Sequence, residues 1–413
     1  MIVLAFVPSV NQLVVDRLVV GSGMDVLNIA GQIEWFDLFN ETILAFLTVP
    51  MYFVLNRARD DADLSRRIGT TLTVGLAAYS LISVAIYVYA SGLTAYMDAP
   101  LESVAYLRLE TIGFVVGFVF SYVYVALVVR AKWKLFAALV VVRVVMLAVC
   151  NTILIPGNGA IGIGLANVLV NAAMSAIALV MLYREGLLRR WSGLDHDAMR
   201  DWARTGFFSG GQVLVANLVY AMVVMKMVSD VEGMGSYWLA NNFIWGWLVV
   251  PVAALGDKLR NEYFNGYERI WNYLALTTLI LMIWLITVPL WGFFFGDVIG
   301  MEDPGPVLDI VCKSVPFYVA YAYSVILQSV LISVGRTDYI FLECLLVNFV
   351  YYGVVYGLFL AGMFEASMDF AILMFGFGLA VCLAIDVILY SRSKRFIPAE
   401  YQKVDHDGGT TQS

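Results

Sequence analysis

Four carboxylates interrupt stretches that are otherwise apolar: Asp16 in the first run, and Glu34, Asp37 and Glu41 in the second. An acidic group at the centre of a bilayer-spanning helix costs roughly 3 kcal/mol, so such groups mark ion or substrate paths. Positions 34, 37 and 41 follow the i, i+3, i+7 rule, which places the three side chains within an arc of roughly 60° on one helix face. In a hairpin turning near Asp25, Asp16 lies nine residues before the turn and Glu34 nine after it. Two carboxylates at similar depth could share a proton, so the expected chemistry is loading and release of a proton or small cation. The competing reading is that Arg17 pairs with one acid and that Glu34 sits high enough to be solvated.

The elements that must hold these groups follow from composition. The chain is 61% hydrophobic and 14% charged, with a mean hydropathy of +0.83, far from the roughly 25% charged residues of a soluble domain. This is an all-α, polytopic membrane protein of about twelve spans, at roughly 20 apolar residues per crossing. Apolar runs lie near 2–20, 29–55, 68–95, 110–129, 135–155, 159–182, 207–229, 236–256, 270–296, 308–334, 340–363 and 369–391. The second, third and ninth runs exceed a bilayer crossing, so tilt, projection or a kink such as Pro50 would cause is expected. The four cysteines lack CxxC spacing and the two histidines stand far apart, so disulfide and metal-site readings are weak. The opening MIVLAFVPSV has no basic region of the kind a cleaved signal carries. The chain starts only fifteen residues before Asp16, which suggests a start placed late or a lost leader.

Of 25 Lys and Arg residues, 20 fall in alternate connections: 57–67, 130–134, 184–204, 258–269, Arg336 and 392–403. Basic loops face the cytoplasm, which puts both termini there, in a plasma (inner) membrane. The longest basic connection mixes Leu, Met and Trp with its charges, as an interfacial amphipathic helix would. It divides the chain into a six-helix lobe (1–182), a cytoplasmic linker (183–206), a second six-helix lobe (207–391) and a cytoplasmic tail (392–413). The halves repeat. GMDVLNIAGQIEW from Gly23 matches GMGSYWLANNFIW from Gly233 at an offset of 210, and VVRAKWKLF from Val128 echoes SVGRTDYIF from Ser333. Parallel repeats of this kind belong to transporters that rock one half against the other.

Further polar groups fall inside the spans. The repeat places Lys226 at the position equivalent to Asp16, where it either snorkels to the surface or lines the cavity. Arg143, deep in VVVRVVM, needs an acidic partner, for which the second-span stripe is the candidate. Amides recur, among them Asn11, Gln12, Asn151, Asn167, Asn171, Gln212 and Asn217, and many such groups serve as interhelical glue. Trp35, Trp245 and Tyr323 are candidates for an aromatic wall that holds a cation, although interfacial belts account for most membrane Trp and Tyr.

The segments VVDRLVVGSG, VAYLRLETIGF, CNTILIPGNGAIGIGLANVL and SVLISVGRTDYIF, in this order over twelve spans, resemble the multidrug and toxic compound extrusion (MATE) family of the multidrug/oligosaccharidyl-lipid/polysaccharide (MOP) exporter superfamily. The resemblance implies a V-shaped pair of six-helix bundles exporting organic cations against protons or sodium. It also implies that Asp16 is the first-helix carboxylate that loads the coupling ion, that Asn151 is the fifth-helix Asn beside it, and that Asn167 takes the sixth-helix place where a hydroxyl is common. Two positions depart from the family: Ile155 replaces a second fifth-helix carboxylate, and Asn217 replaces a seventh-helix acid. A relocated site follows as a hypothesis, with Glu34 or Asp37 standing in for the missing acid.

The function expected is secondary active export of amphiphilic, cationic small molecules in exchange for H⁺ or Na⁺. Asp16, Asn151, Asn167, Glu34, Asp37 and Glu41 would handle the ion, and Trp35, Asn217, Trp245, Gln212 and Tyr323 would line the substrate cavity. The alternative is a flippase for a lipid-linked saccharide or other lipid, favoured if Arg17, Arg143 and Lys226 face inward. An enzyme lacks any nucleophile or metal-ligand pattern, a channel lacks a filter, and no cofactor beyond the coupling ion is implied. The partners expected are organic cations and the lipid bilayer, with no nucleic acid, for a monomer.

Overall fold

The computed structural model describes residues 6–393 except 57, 98, 131, 188–193, 226–232, 263–269, 334–335 and 366; for some helical residues, 32–35 among them, it describes the backbone alone. The helices are α1 (Val7–Ser22), α2 (Met24–Leu47), α3 (Val49–Asn56), α4 (Asp61–Tyr96), α5 (Glu102–Val129), α6 (Trp133–Asn158), α7 (Ala160–Arg184) and α8 (His196–Val219). They continue as α9 (Met234–Phe243), α10 (Val250–Glu262), α11 (Ile270–Phe293), α12 (Gly305–Ser333), α13 (Thr337–Leu345), α14 (Gly353–Leu360) and α15 (Met368–Ser393). Four π-helical stretches (Tyr220–Met225, Ile244–Leu248, Phe294–Ile299 and Leu346–Tyr352) extend or join the later helices.

Among the described residues nine helices are long and apolar enough to cross a membrane, or ten if the 45° bent pair Met234–Leu248 and Val250–Arg260 forms one span. The remaining two expected crossings are α1 and α2. α1 is described over only 16 residues, and α2 carries Glu34, Asp37 and Glu41 within its apolar run. The chain is an all-α, multi-pass membrane protein. Near Pro50 the helix is interrupted, since α2 ends at Leu47 and α3 begins at Val49. Between them the Thr48 hydroxyl donates to the Leu44 carbonyl at 2.6 Å.

The internal repeat is written in the backbone. Gly23 and Gly233 both take positive φ, 114° and 107°, a conformation that favours glycine, and each immediately precedes a helix. Lys132 (φ −85°, ψ 55°) and Arg336 (φ −92°, ψ 49°), one residue out of register in the two echoing segments, also share a conformation at the starts of α6 and α13.

Two compact units arise from the chain. The N-terminal unit comprises Val7–Leu239 with Val298–Met301. Its most extensive packing is α5 on α7, followed by α1 on α6, α6 on α7, and α2 on α8. Met51, Ile68, Tyr79, Phe118, Tyr122 and Met174 are buried at its core. The α2–α8 approach is close because Gly206 lies against the chain there: a Cβ on it would stand 2.6 Å from the Phe46 carbonyl oxygen. At the basic loops Asp60 and Asp195 cap α4 and α8 by accepting from Asp63 N and Ala198 N, at 2.7 and 3.0 Å. Such caps satisfy amides that the first turn leaves open. Arg66 pairs with Asp195 at 3.1 Å and Arg130 with Asp61 at 2.6 Å. The other unit, Ala240–Asp297 and Glu302–Ser413 with Met1–Phe6, is built mainly from α12 packed on α15 and α10 packed on α12.

Candidate functional site

A cavity of about 610 Å³ lies within the N-terminal unit, bordered by α1, α2, α5, α6 and α7. Phe114, Phe118, Phe120 and Tyr124 of α5 form an aromatic wall, and Asn11, Gln12, Asn40, Asn167 and Asn171 contribute amides. Asp37 of α2 and Arg143 of α6 also line it, and the Asp37 side chain is exposed. Of the described members of the α2 acidic stripe, Asp37 is the one that lines this cavity. The size falls in the range of small-molecule pockets, roughly 300–1,000 Å³.

Asp16 is buried on α1 and accepts from Gln12 Nε2 at 2.9 Å. One turn earlier, Asn11 Oδ1 accepts from Asn151 Nδ2 of α6 at 3.5 Å. The α1–α6 contact thus gathers Asp16, Asn11, Gln12 and Asn151, and the Asn11 and Gln12 side chains reach from it to the cavity. Ile155, one turn beyond Asn151, is fully buried. Arg17 donates to the Val298 carbonyl at 3.0 Å and forms no ion pair with an acid among the described residues.

Asn167 meets a carboxylate that the sequence reading did not single out. Its Nδ2 donates to Glu110 Oε1 at 2.8 Å. Glu110 is 3% exposed, and its Oε2 has no hydrogen-bond partner among the described residues. Tyr106, one turn earlier on α5, and Asp37 lie within electrostatic reach of it. The signal was present in VAYLRLETIGF. The apolar run was read as starting at residue 110, which made Glu110 a boundary residue, whereas α5 starts at Glu102 and carries Glu110 two turns inside.

Arg143 enters the cavity with its guanidinium over the Phe120 ring, 5.5 Å from the centroid. One Nη donates to Asn171 Oδ1 at 3.3 Å, and the buried Nε has no partner among the described residues. The expected partnership with the acidic stripe is absent for its described members, since neither Asp37 nor Glu41 forms an ion pair with it. Glu41 is instead met by Asn217 Nδ2 of α8 at 3.2 Å, and the same amide donates to the Leu38 carbonyl and to Thr42 Oγ1 at 3.0 and 3.1 Å. Asn217 therefore ties α8 to α2. Gln212 lies one and a half turns earlier on α8, with its side chain half-buried and partnered.

In the C-terminal unit Trp245 is 40% exposed and packs edge-on against Tyr318 and Tyr321, with centroids 5.9 and 5.3 Å apart. Tyr323 shares a hydrogen bond with Thr278 at 2.9 Å. This unit also buries two acids that the sequence reading passed over. Asp386 accepts from Ser324, and Gln328 Nε2 reaches Asp386 at 3.1 Å and Glu343 at 3.4 Å. The side chains of Glu34 and Trp35, and all of Lys226, lie outside the described residues.

No protein-family model and no curated protein matches this sequence. Solved structures do. One is an inward-facing multidrug resistance MATE family transporter of the MOP superfamily, at 16% identity and a TM-score of 0.74, covering 95% of each chain. Another is a MOP superfamily transporter from Pyrococcus furiosus, described by a reverse polarity of its binding pocket that suggests a different function. It aligns at 16% identity with a TM-score of 0.72 over 98% of this chain and 96% of its own. An outward-facing MATE transporter aligns with a TM-score of 0.67 at 16% identity, covering 98% and 94%. This chain has the MATE fold. The likeness runs over nearly the whole length, as the order of the four motif segments implied. At this identity it fixes the MATE architecture, and the chemistry is left to the residues described above.

Proposed function

We propose that the protein is a secondary active transporter that exports amphiphilic, cationic small molecules in exchange for H⁺ or Na⁺. The observation that carries this reading is Asp37, a carboxylate open to a cavity of about 610 Å³ with four aromatic rings in its wall. A carboxylate and ring faces together attract an organic cation. Asp16, with Gln12, Asn11 and Asn151, is the coupling-ion group, and Glu110 with Asn167 is a second carboxyl within reach of the same cavity. The monomer sits in the plasma membrane with both termini cytoplasmic. Transport rather than catalysis fits a cavity lined by amides and rings.

The test is uptake of a fluorescent organic cation into proteoliposomes under an imposed pH gradient and then a sodium gradient, for wild type, Asp16→Asn and Asp37→Asn. Gradient-driven accumulation lost with Asp16→Asn and weakened binding with Asp37→Asn are expected. Folded protein that moves no cation under either gradient would refute the reading. A lipid flippase is the second reading, favoured by one observation: Arg143 lines the same cavity and would attract an anionic headgroup.

A further inference from the structure

Among the described residues the cavity of the N-terminal unit carries two opposite charges with no ion pair between them. Asp37 projects from α2 and Arg143 from α6. Among the described residues Arg143 has one amide acceptor, one ring face and Tyr124 within electrostatic reach, and its Nε is buried without a partner. A guanidinium carries five N–H donors in a fixed fork matched to carboxylate and phosphate oxygens. Most of that fork is unused here. Asp37, for its part, presents acceptor oxygens to a space walled by rings. A plain organic cation would satisfy Asp37 and leave most of the guanidinium donors without an oxyanion. A plain anion would do the reverse.

Resting on the transporter reading above, we propose that the site is built for an amphiphilic zwitterion. Its ammonium group lies toward Asp37, its carboxylate or phosphate toward Arg143, and its apolar body lies on Phe114 and Tyr124, the half-buried aromatic residues of the wall. Each charged end adds a charge-assisted hydrogen bond, of the strong class. Masking either end should weaken binding roughly tenfold or more, the size of losing one such bond.

The test uses the full chain in proteoliposomes and competes a fluorescent organic cation in counterflow with matched ligands. These are phenylalanine, tryptophan and naphthylalanine as zwitterions, the methyl ester of each as a cation, and the N-acetyl derivative of each as an anion. At least one zwitterion should outcompete both of its masked forms by about tenfold or more. Arg143→Gln should bring the zwitterion-to-ester ratio to about one, and Arg143→Lys should restore part of it. Esters that compete as well as their zwitterions throughout the series would overturn the inference while leaving cation transport standing. No counterflow of the fluorescent cation by folded wild type would instead remove the transporter reading itself. If Arg143→Gln fails to fold, the wild-type series decides alone. A zwitterionic lipid headgroup offers the same two charges. Transfer of fluorescent phosphatidylethanolamine between leaflets, abolished by Arg143→Gln, with no exchange of the soluble series, would assign the same recognition to lipid.

Discussion

Removing the Asn167 amide separates a working carboxyl from one that is merely buried. Glu110 is 3% exposed, Asn167 donates to its Oε1 at 2.8 Å, and its Oε2 has no hydrogen-bond partner among the described residues. Asn167→Ala strips the donor and leaves a buried polar group unsatisfied, at a cost of about 1–3 kcal/mol. Glu110→Ala removes the group that needs satisfying, so the double variant should be less destabilised than the two singles summed. A coupling energy of about 1–2 kcal/mol is expected for two groups in direct contact. The assay is unfolding of purified protein in detergent, read by tryptophan fluorescence for wild type, both singles and the double. Transport supplies the second readout: Glu110→Gln keeps the side-chain shape but cannot cycle a proton. It should retain cation counterflow and lose accumulation driven by a pH gradient. Single-variant effects that add to within about 0.5 kcal/mol, together with unimpaired gradient-driven accumulation in Glu110→Gln, would refute the reasoning and reduce Glu110 to an inert residue of the α5–α7 contact.

Other perturbations test the scaffold that carries the site. Gly206→Ala would put a Cβ 2.6 Å from the Phe46 carbonyl oxygen; backbone cannot swing aside, so overpacking should cost about 1–3 kcal/mol. Gly211→Ala, with nothing within 4 Å of the new Cβ, should be neutral or stabilising by up to about 1 kcal/mol, and the pair is read in one unfolding experiment. Trp202→Phe deletes the indole N–H that donates to the Leu47 carbonyl at 2.8 Å. It should lose about 1 kcal/mol and raise amide exchange at the α2–α3 break. Asp386→Ala leaves the Ser324 hydroxyl and the Gln328 amide without their shared acceptor, a loss of about 1–3 kcal/mol. Asp386→Asn, which keeps an acceptor, should lose less in the same denaturation series.

What the sequence made legible, and what it hid, divides along physical lines. Apolar runs and the Gly23/Gly233 repeat could be read because both are local: a run needs about 20 residues, and a positive φ needs a glycine at one place. Which way each polar group on a helix points is not local. Glu34, Asp37 and Glu41 share a face by spacing, yet α8 packs so that Asn217 draws Glu41 to itself while Asp37 stays open to the cavity. Glu110 went unnoticed for the opposite reason: an apolar-run rule places a charge at the edge of a span, whereas α5 begins eight residues before it. The same rule would have assigned Arg143 a carboxylate partner, because isolated charges in spans are costly. The structure offers another solution, a ring face and an amide with donors to spare. A charge left partly unsatisfied in the same cavity as an open carboxylate, a cavity sized for a small molecule, is costly for the empty protein. On the zwitterion proposal that cost would be recovered when one ligand supplies both complements, and differential satisfaction of that kind is what lets a ligand bias an equilibrium between two states.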